Sequence, residues 1–121
     1  MSIRVLIVED DPDLLAFYVD ALEMAGHLVF ASARNGVEAL EILTASDEFP
    51  DVIIMDHRMP IKSGLDTAQE ILQCHPGARI IFASADDGAE QEALSLGVTC
   101  FKKKPFTLAS LLESIELALD G

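Results

Sequence analysis

Basic residues are few in this sequence: 8 Lys and Arg stand against 21 Asp and Glu among 121 residues, a formal net charge of −13. A field of that sign repels phosphate polymers and anionic membrane surfaces, which excludes a stand-alone nucleic-acid reader. Long apolar runs are missing too. The longest, at 5–8 and 52–55, fall far short of the ~20 residues that cross a bilayer. Residues 1–4 lead straight into a strand-like run and then into acids, without the basic region, apolar segment and cleavage site of a leader. These absences predict a cytoplasmic protein. Cysteine is scarce: Cys74 and Cys100 form no CxxC spacing and are expected as free, buried thiols without a chemical role. No linker or low-complexity stretch interrupts the chain, so residues 1–121 are read as one domain. With 50% apolar residues, global disorder is excluded.

What is present is a repeated alternation. Apolar runs rich in β-branched residues at 3–8, 28–32, 52–55, 79–84 and 98–101 alternate with segments of helical period. That pattern argues for parallel strands joined by helical crossovers. The runs are near-continuous rather than alternating, as expected where helices cover both faces of a sheet. Leu15, Tyr18, Val19 and Leu22 stripe a first helix closed by Gly26, and Asn35 followed by Glu38 opens a second. Leu65, Ala68 and Leu72 stripe a third. The fourth, at 88–96, offers chiefly Ala89, Ala93, Leu94 and Leu96 before Gly97, and is expected to be the least firmly held. The fifth is the clearest: Thr107 can cap it, and Leu108, Leu111, Leu112, Ile115 and Leu119 share one face.

In a parallel sheet, ligands bind at the carboxyl ends of the strands. Glu9, Asp10 and Asp11 follow the first strand, Asp56 ends the third, Ser84 ends the fourth and Lys104 follows the fifth. Taken alone, the first three acids read equally well as a solvated helix start whose charge favours the dipole. With strands one, three and four as neighbours, they converge with Asp56, a hydroxyl and an ammonium, as structural charges seldom do. Converging carboxylates raise one another's pKa values unless a cation neutralises them. An all-oxygen set suits Mg²⁺ first and Mn²⁺ second. His27, His57 and His75 are scattered, form no zinc cluster and are read as surface residues. A carboxylate beside Mg²⁺, with a Lys and a hydroxyl facing it, is also equipped to attack phosphorus and become an aspartyl phosphate.

The order and spacing of Val8-Glu9-Asp10-Asp11-Pro12, of 51–56 followed by Met59-Pro60 and Gly64, of Ser84-Ala85, and of Gly97 through Phe101 to Lys104-Pro105-Phe106 resemble a response-regulator receiver domain. The resemblance covers essentially the whole chain and is similar to single-domain chemotaxis receivers. It implies an α/β fold: a five-stranded parallel sheet in the order 2-1-3-4-5 in a flavodoxin-like three-layer sandwich with five helices. It implies that Asp56 is the phosphoacceptor and that Glu9, Asp10, Asp56 and the Arg58 backbone carbonyl hold Mg²⁺. Ser84 and Lys104 would bind the phosphoryl oxygens, Ser84 and Phe101 would be the switch pair, and Lys104 would precede a cis peptide to Pro105. Charge alone does not choose among Lys102, Lys103 and Lys104; the position before Pro105 selects Lys104. Asp11 is left as a helper at the helix start. Ser84 where Thr is common keeps the hydroxyl. Phe101 where Tyr is common loses a hydroxyl hydrogen bond.

Arg58 and Asp86 occupy the positions that flank the path of attacking water in the family. They are read either as a pair slowing dephosphorylation or as two solvated charges. The resemblance also implies a phosphodonor, a sensor histidine kinase or histidine phosphotransfer protein, docking near the first helix and the loops around Asp56. A downstream protein or output domain would meet the face of the fourth helix, fifth strand and fifth helix, with the chain a monomer or a phosphorylation-promoted homodimer. It implies a signalling domain whose only catalysis is its own phosphorylation and dephosphorylation, with no direct nucleic-acid or membrane partner. Three rivals are weaker. A phosphohydrolase with an aspartyl nucleophile needs a second Asp where Arg58 stands, a flavin carrier needs a phosphate cradle where Glu9-Asp10-Asp11 would repel one, and an inert interaction domain has no need of the reactive residues.

Overall fold

The structure, a computed structural model, describes residues 3–57, 59, 61–86 and 88–120. The elements alternate strictly: β1 (Arg4–Val8), α1 (Pro12–Met24), β2 (Leu28–Ala33), α2 (Gly36–Ala45), β3 (Val52–Asp56), α3 (Gly64–Cys74), β4 (Ile80–Ser84), α4 (Gly88–Leu96), β5 (Cys100–Lys103) and α5 (Leu108–Asp120). The strands form one sheet in the order β2-β1-β3-β4-β5, and every neighbouring pair is parallel. The expected α/β sandwich and strand order are therefore present. No helix among the described residues is long and apolar enough to cross a membrane.

Because successive strand side chains point to opposite faces, the continuous apolar runs fill two layers. Val5, Ile7, Val52, Ile54 and Ile81 face Tyr18, Leu22, Leu111 and Ile115 of α1 and α5. Leu6, Val8, Ile53, Met55, Ile80 and Phe82 face α2, α3 and α4, where the helices supply Leu43, Ala68, Ile71, Ala89 and Ala93. Each fully buried Leu, Ile or Phe contributes roughly 1.5–3 kcal/mol. The α4 share of this core is two alanines, in line with its thin stripe.

Asn35 and Thr107 cap their helices as the sequence predicts, and Asp11 caps α1 as well. Asp11 accepts the Asp13 amide at 2.9 Å with Pro12 at the first helical position, Asn35 accepts the Glu38 amide at 2.9 Å, and Thr107 Oγ1 accepts the Ser110 amide at 3.1 Å. Glu38 reaches back one residue further than a capping box requires, accepting the Arg34 amide at 3.0 Å. Gly26 and Gly97 follow α1 and α4 at φ of 82° and 104°, a left-handed region that glycine enters without a Cβ penalty.

Three expectations need correction. The fifth strand is Cys100–Lys103, not 98–101: the Val98 amide closes α4 onto the Ala93 carbonyl at 3.3 Å, so pairing starts later. As an edge strand, β5 tolerates the lysines, and Lys102 reaches Ser110 while its ammonium lies 5.6 Å from the centre of the Phe106 ring. The cysteines are free, yet Cys74 is exposed and Cys100 half-buried. Cys74 is the last residue of α3 and lines an open cleft with Phe49, Pro50 and His75 instead of the sheet. His57 is half-buried, its ring 5.6 Å from that of Phe82.

Candidate functional site

Parallel pairing brings the carboxyl ends of β1, β3 and β4 side by side. Asp56 stands in register with Ala83, one residue before Ser84, and Val8, just before Glu9, is in register with Met55. Glu9 is 2% exposed, Asp56 6% and Ser84 2%, whereas Asp10 is open to solvent. Two buried carboxylates so close would be untenable without a cation. Lys104 supplies one: its Nζ lies 2.5 Å from Asp56 Oδ1 and 3.2 Å from Glu9 Oε1. Glu9 also accepts the Asp11 amide at 3.2 Å through Oε2, which ties the first acid to the cap of α1.

Lys104 reaches the site because the chain turns immediately after β5. Its amide donates to the Ser84 carbonyl at 2.9 Å, and the Lys104–Pro105 peptide is cis. Lys103 belongs to β5 and is exposed, and Lys102 points at Ser110, so the triple lysine sends only Lys104 to the carboxylates. At the other wall, Gly64 opens α3 against the end of β3: a Cβ there would lie 2.1 Å from the Asp56 carbonyl oxygen, so only glycine permits this approach. The Gly64 amide fixes the His57 carbonyl at 2.9 Å, and Ser63 caps the helix by accepting the Asp66 amide at 3.2 Å. The S-x-x-D pattern at Ser63 to Asp66 is a sequence signal for this start that hydrophobic periodicity alone passes over.

Ser84 Oγ accepts the Asp86 amide at 2.9 Å, and Asp86 Oδ1 accepts the Gly88 amide at 2.9 Å. Phe101 is half-buried with its ring stacked on Phe82 at 6.1 Å between centres. Arg58, expected as a carbonyl ligand and as the partner of Asp86, lies outside the described residues, as does Pro60. The loop between β3 and α3 also holds Ile61 at a φ of 71°, a left-handed conformation costly for a β-branched residue. Tyr18, on α1 beneath the carboxylates, buries its hydroxyl without a hydrogen-bond partner among the described residues.

The electrostatics follow from burial. Desolvation, reinforced by Asp56, raises the Glu9 pKa above its ordinary 4.5, and desolvation raises Asp56 above 3.8 although Lys104 pulls it down. Lys104 is raised above 10.5: its own burial lowers it, but the bond to Asp56 and the charges of Asp56 and Glu9 outweigh that. Burial, then the charges of Glu9 and Asp56, raises the Tyr18 phenol.

One carboxylate oxygen from each of Glu9, Asp10 and Asp56 lies within 4.8 Å of the others, a spacing that can hold one metal ion. Three hard oxygen donors with an open side at Asp10 fit Mg²⁺, which keeps several of its waters, and do not fit a closed zinc site.

Comparisons with known proteins agree with this geometry. The family model described as response regulator receiver domain matches residues 5–116. The chain is 35% identical to the chemotaxis protein CheY of Thermotoga maritima over 117 residues, covering 95% of this chain and 96% of that protein. It is 32% identical to the transcriptional regulatory protein PdtaR of Mycobacterium tuberculosis over 97% of its own length, and spans 57% of that relative. Among solved structures, the response regulator protein TrrA of Thermotoga maritima in complex with Mg²⁺ and BeF superposes with a TM-score of 0.87 at 29% identity, covering 96% of this chain and 98% of that one.

Proposed function

The chain belongs to the response regulator receiver domain family of two-component signalling, and from that premise we propose that Asp56 accepts a phosphoryl group from a phosphohistidine. The observation that carries this reading is Asp56 itself: a buried carboxylate held at 2.5 Å by Lys104 and flanked by two further acids within ligand distance. The donor is a sensor histidine kinase or histidine phosphotransfer protein approaching α1 and the loops around Asp56. A carboxylate oxygen of Asp56 attacks phosphorus in line, the O–P bond forms as the P–N bond breaks, and the imidazole nitrogen leaves with the electron pair.

Glu9, Asp10, Asp56 and the Arg58 carbonyl are the residues that would hold Mg²⁺, with Mn²⁺ as a substitute. When bound, the ion neutralises charge on the transferring phosphoryl oxygens. Lys104 shifts from sharing Asp56 and Glu9 to pairing with the phosphoryl group. Ser84 turns its hydroxyl toward the same group, and Phe101 follows. Phosphorylation replaces the single charge of the Asp56 carboxylate with about −1.5 to −2 on the phosphoryl oxygens, and this new charge distribution is the signal that shifts the balance between the two conformations. Arg58 and Asp86 govern water's approach and hence the rate of dephosphorylation. The domain acts in the cytoplasm and catalyses only its own phosphorylation and dephosphorylation. The face of α4, β5 and α5 meets the downstream protein or output domain, with the chain monomeric or dimerising on phosphorylation.

Intact mass after incubation with acetyl phosphate tests the chemistry. The expected result is one phosphoryl adduct that requires Mg²⁺, disappears with a chelator and is absent from Asp56→Asn. An adduct that persists in the variant would reject Asp56 as acceptor.

A further inference from the structure

We propose that Asp86 is a positioning residue for the switch, tying the Ser84 hydroxyl to the first turn of α4 so that the hydroxyl's turn toward a phosphoryl group loosens that turn. This rests on the receiver reading above and extends it to how occupancy of the site reaches α4. The coupling is a run of short hydrogen bonds. The Asp86 amide donates to Ser84 Oγ at 2.9 Å, the Gly88 amide donates to Asp86 Oδ1 at 2.9 Å, and the Ala89 amide donates to the Asp86 carbonyl at 3.2 Å.

What can move at this junction is narrowly defined. The Ser84 carbonyl is held by the Lys104 amide at 2.9 Å, so the end of β4 is anchored and the free degree of motion is the hydroxyl rotor. Serine carries no β-methyl to lock that rotor. In the state seen here, the hydroxyl spends a lone pair on the Asp86 amide. Moving Oγ toward Asp56 stretches that bond, and because the same residue supplies the carboxylate over Gly88, the displaced Asp86 carries its cap with it. Gly88 suits the closure: a Cβ there would lie 3.1 Å from Asp86 Oδ1, tighter than ordinary contact.

Among the described residues, Asp86 supplies the side-chain hydrogen bond at the start of α4. Its first amides lack partners within the helix, as at any helix N-terminus, and only Ala89 and Ala93 are buried along its length. A cap contributes about 1 kcal/mol, and its loss corresponds to about a fivefold change in the local opening equilibrium. The role assigned here belongs to the accepting oxygen and the main chain of Asp86. It is separate from any charge effect on water at the mouth of the site.

Hydrogen exchange of the Gly88 amide, followed by NMR in the full chain with and without beryllofluoride and Mg²⁺, tests this. In the wild type, exchange at Gly88 is expected to accelerate about fivefold when beryllofluoride binds. Asp86→Ala should exchange fast in both conditions and bind beryllofluoride about fivefold more tightly, because its resting state has lost the cap. Asp86→Asn keeps the accepting oxygen and should match the wild type in Gly88 exchange and in beryllofluoride affinity. An unchanged Gly88 rate on binding to the wild type, or Asn and Ala variants that behave alike, would overturn the coupling while leaving the receiver reading intact. Failure of the wild type to bind beryllofluoride at all would instead overturn the reading on which it rests.

Discussion

Residues 5–8 of β1, 52–55 of β3 and 80–83 of β4 are apolar and buried, while at their carboxyl ends the same strands lead to Glu9, Asp56 and Ser84, also buried. In the interior, burial stabilises without needing partners. At the ends it raises both carboxyl pKa values and leaves one ammonium to answer two buried acids. The contrast teaches that the sheet's packing offsets the cost of a site held ready for a cation and a phosphoryl group, and that neutralising a buried acid at the strand ends should act with the opposite sign to truncating a side chain of the interior.

The largest effect should come from the interior. Phe82→Ala removes a ring that is 0% exposed and stacked near Phe101, and should lower unfolding free energy by about 3–5 kcal/mol in urea titrations. At the carboxyl end, Lys104→Met leaves Glu9 and Asp56 facing each other. It should cost about 2 kcal/mol at neutral pH, and less as falling pH lets the acids take up protons. A loss that does not vary with pH would mean that Lys104 acts through packing alone.

Asp56→Asn should go the other way, raising stability by about 1 kcal/mol at neutral pH without divalent cations. A carboxyl whose folded pKa is raised contributes stability below its unfolded value, 3.8 for Asp56 and 4.5 for Glu9, and loses it as pH rises through the folded value. Lys104, raised above 10.5, contributes below that value and loses its contribution as pH rises through its own folded pKa. The advantage of Asp56→Asn should thus vanish below about pH 4 and be erased by Mg²⁺, which stabilises only the wild type. The smallest effect is at Ile61: replacing it with Gly relieves a β-branched residue at a φ of 71° and should add about 0.5–1 kcal/mol in thermal melts, the gain reduced by glycine's entropy.

Much of this was legible in the chain. Hydrophobic period and caps located all five helices, because Asn35, Thr107, Gly26 and Gly97 each act on their own neighbours. Strand order was not legible from periodicity, since pairing is decided between distant segments; it came from resemblance. β5 shifted toward its lysines because an edge strand must cover only part of its surface, and Cys74 proved exposed because helical spacing does not say where α3 leaves the sheet. The acids and lysine of the site could be named from the strand ends, but not their contacts: Lys104 meets partners 48 and 95 residues away. The link from Ser84 through Asp86 to Gly88 depends on main-chain amides, which residue types alone do not announce.

The central claim is that Asp56, and no other acid of the cluster, forms the bond to phosphorus. Phosphorylation with acetyl phosphate and Mg²⁺, reductive trapping with borohydride and tandem mass spectrometry of the peptides test it directly, since an aspartyl phosphate is reduced to homoserine where it formed. The account predicts homoserine at position 56 alone. Reduction at Glu9, Asp10 or Asp11, with Asp56 intact, would contradict it.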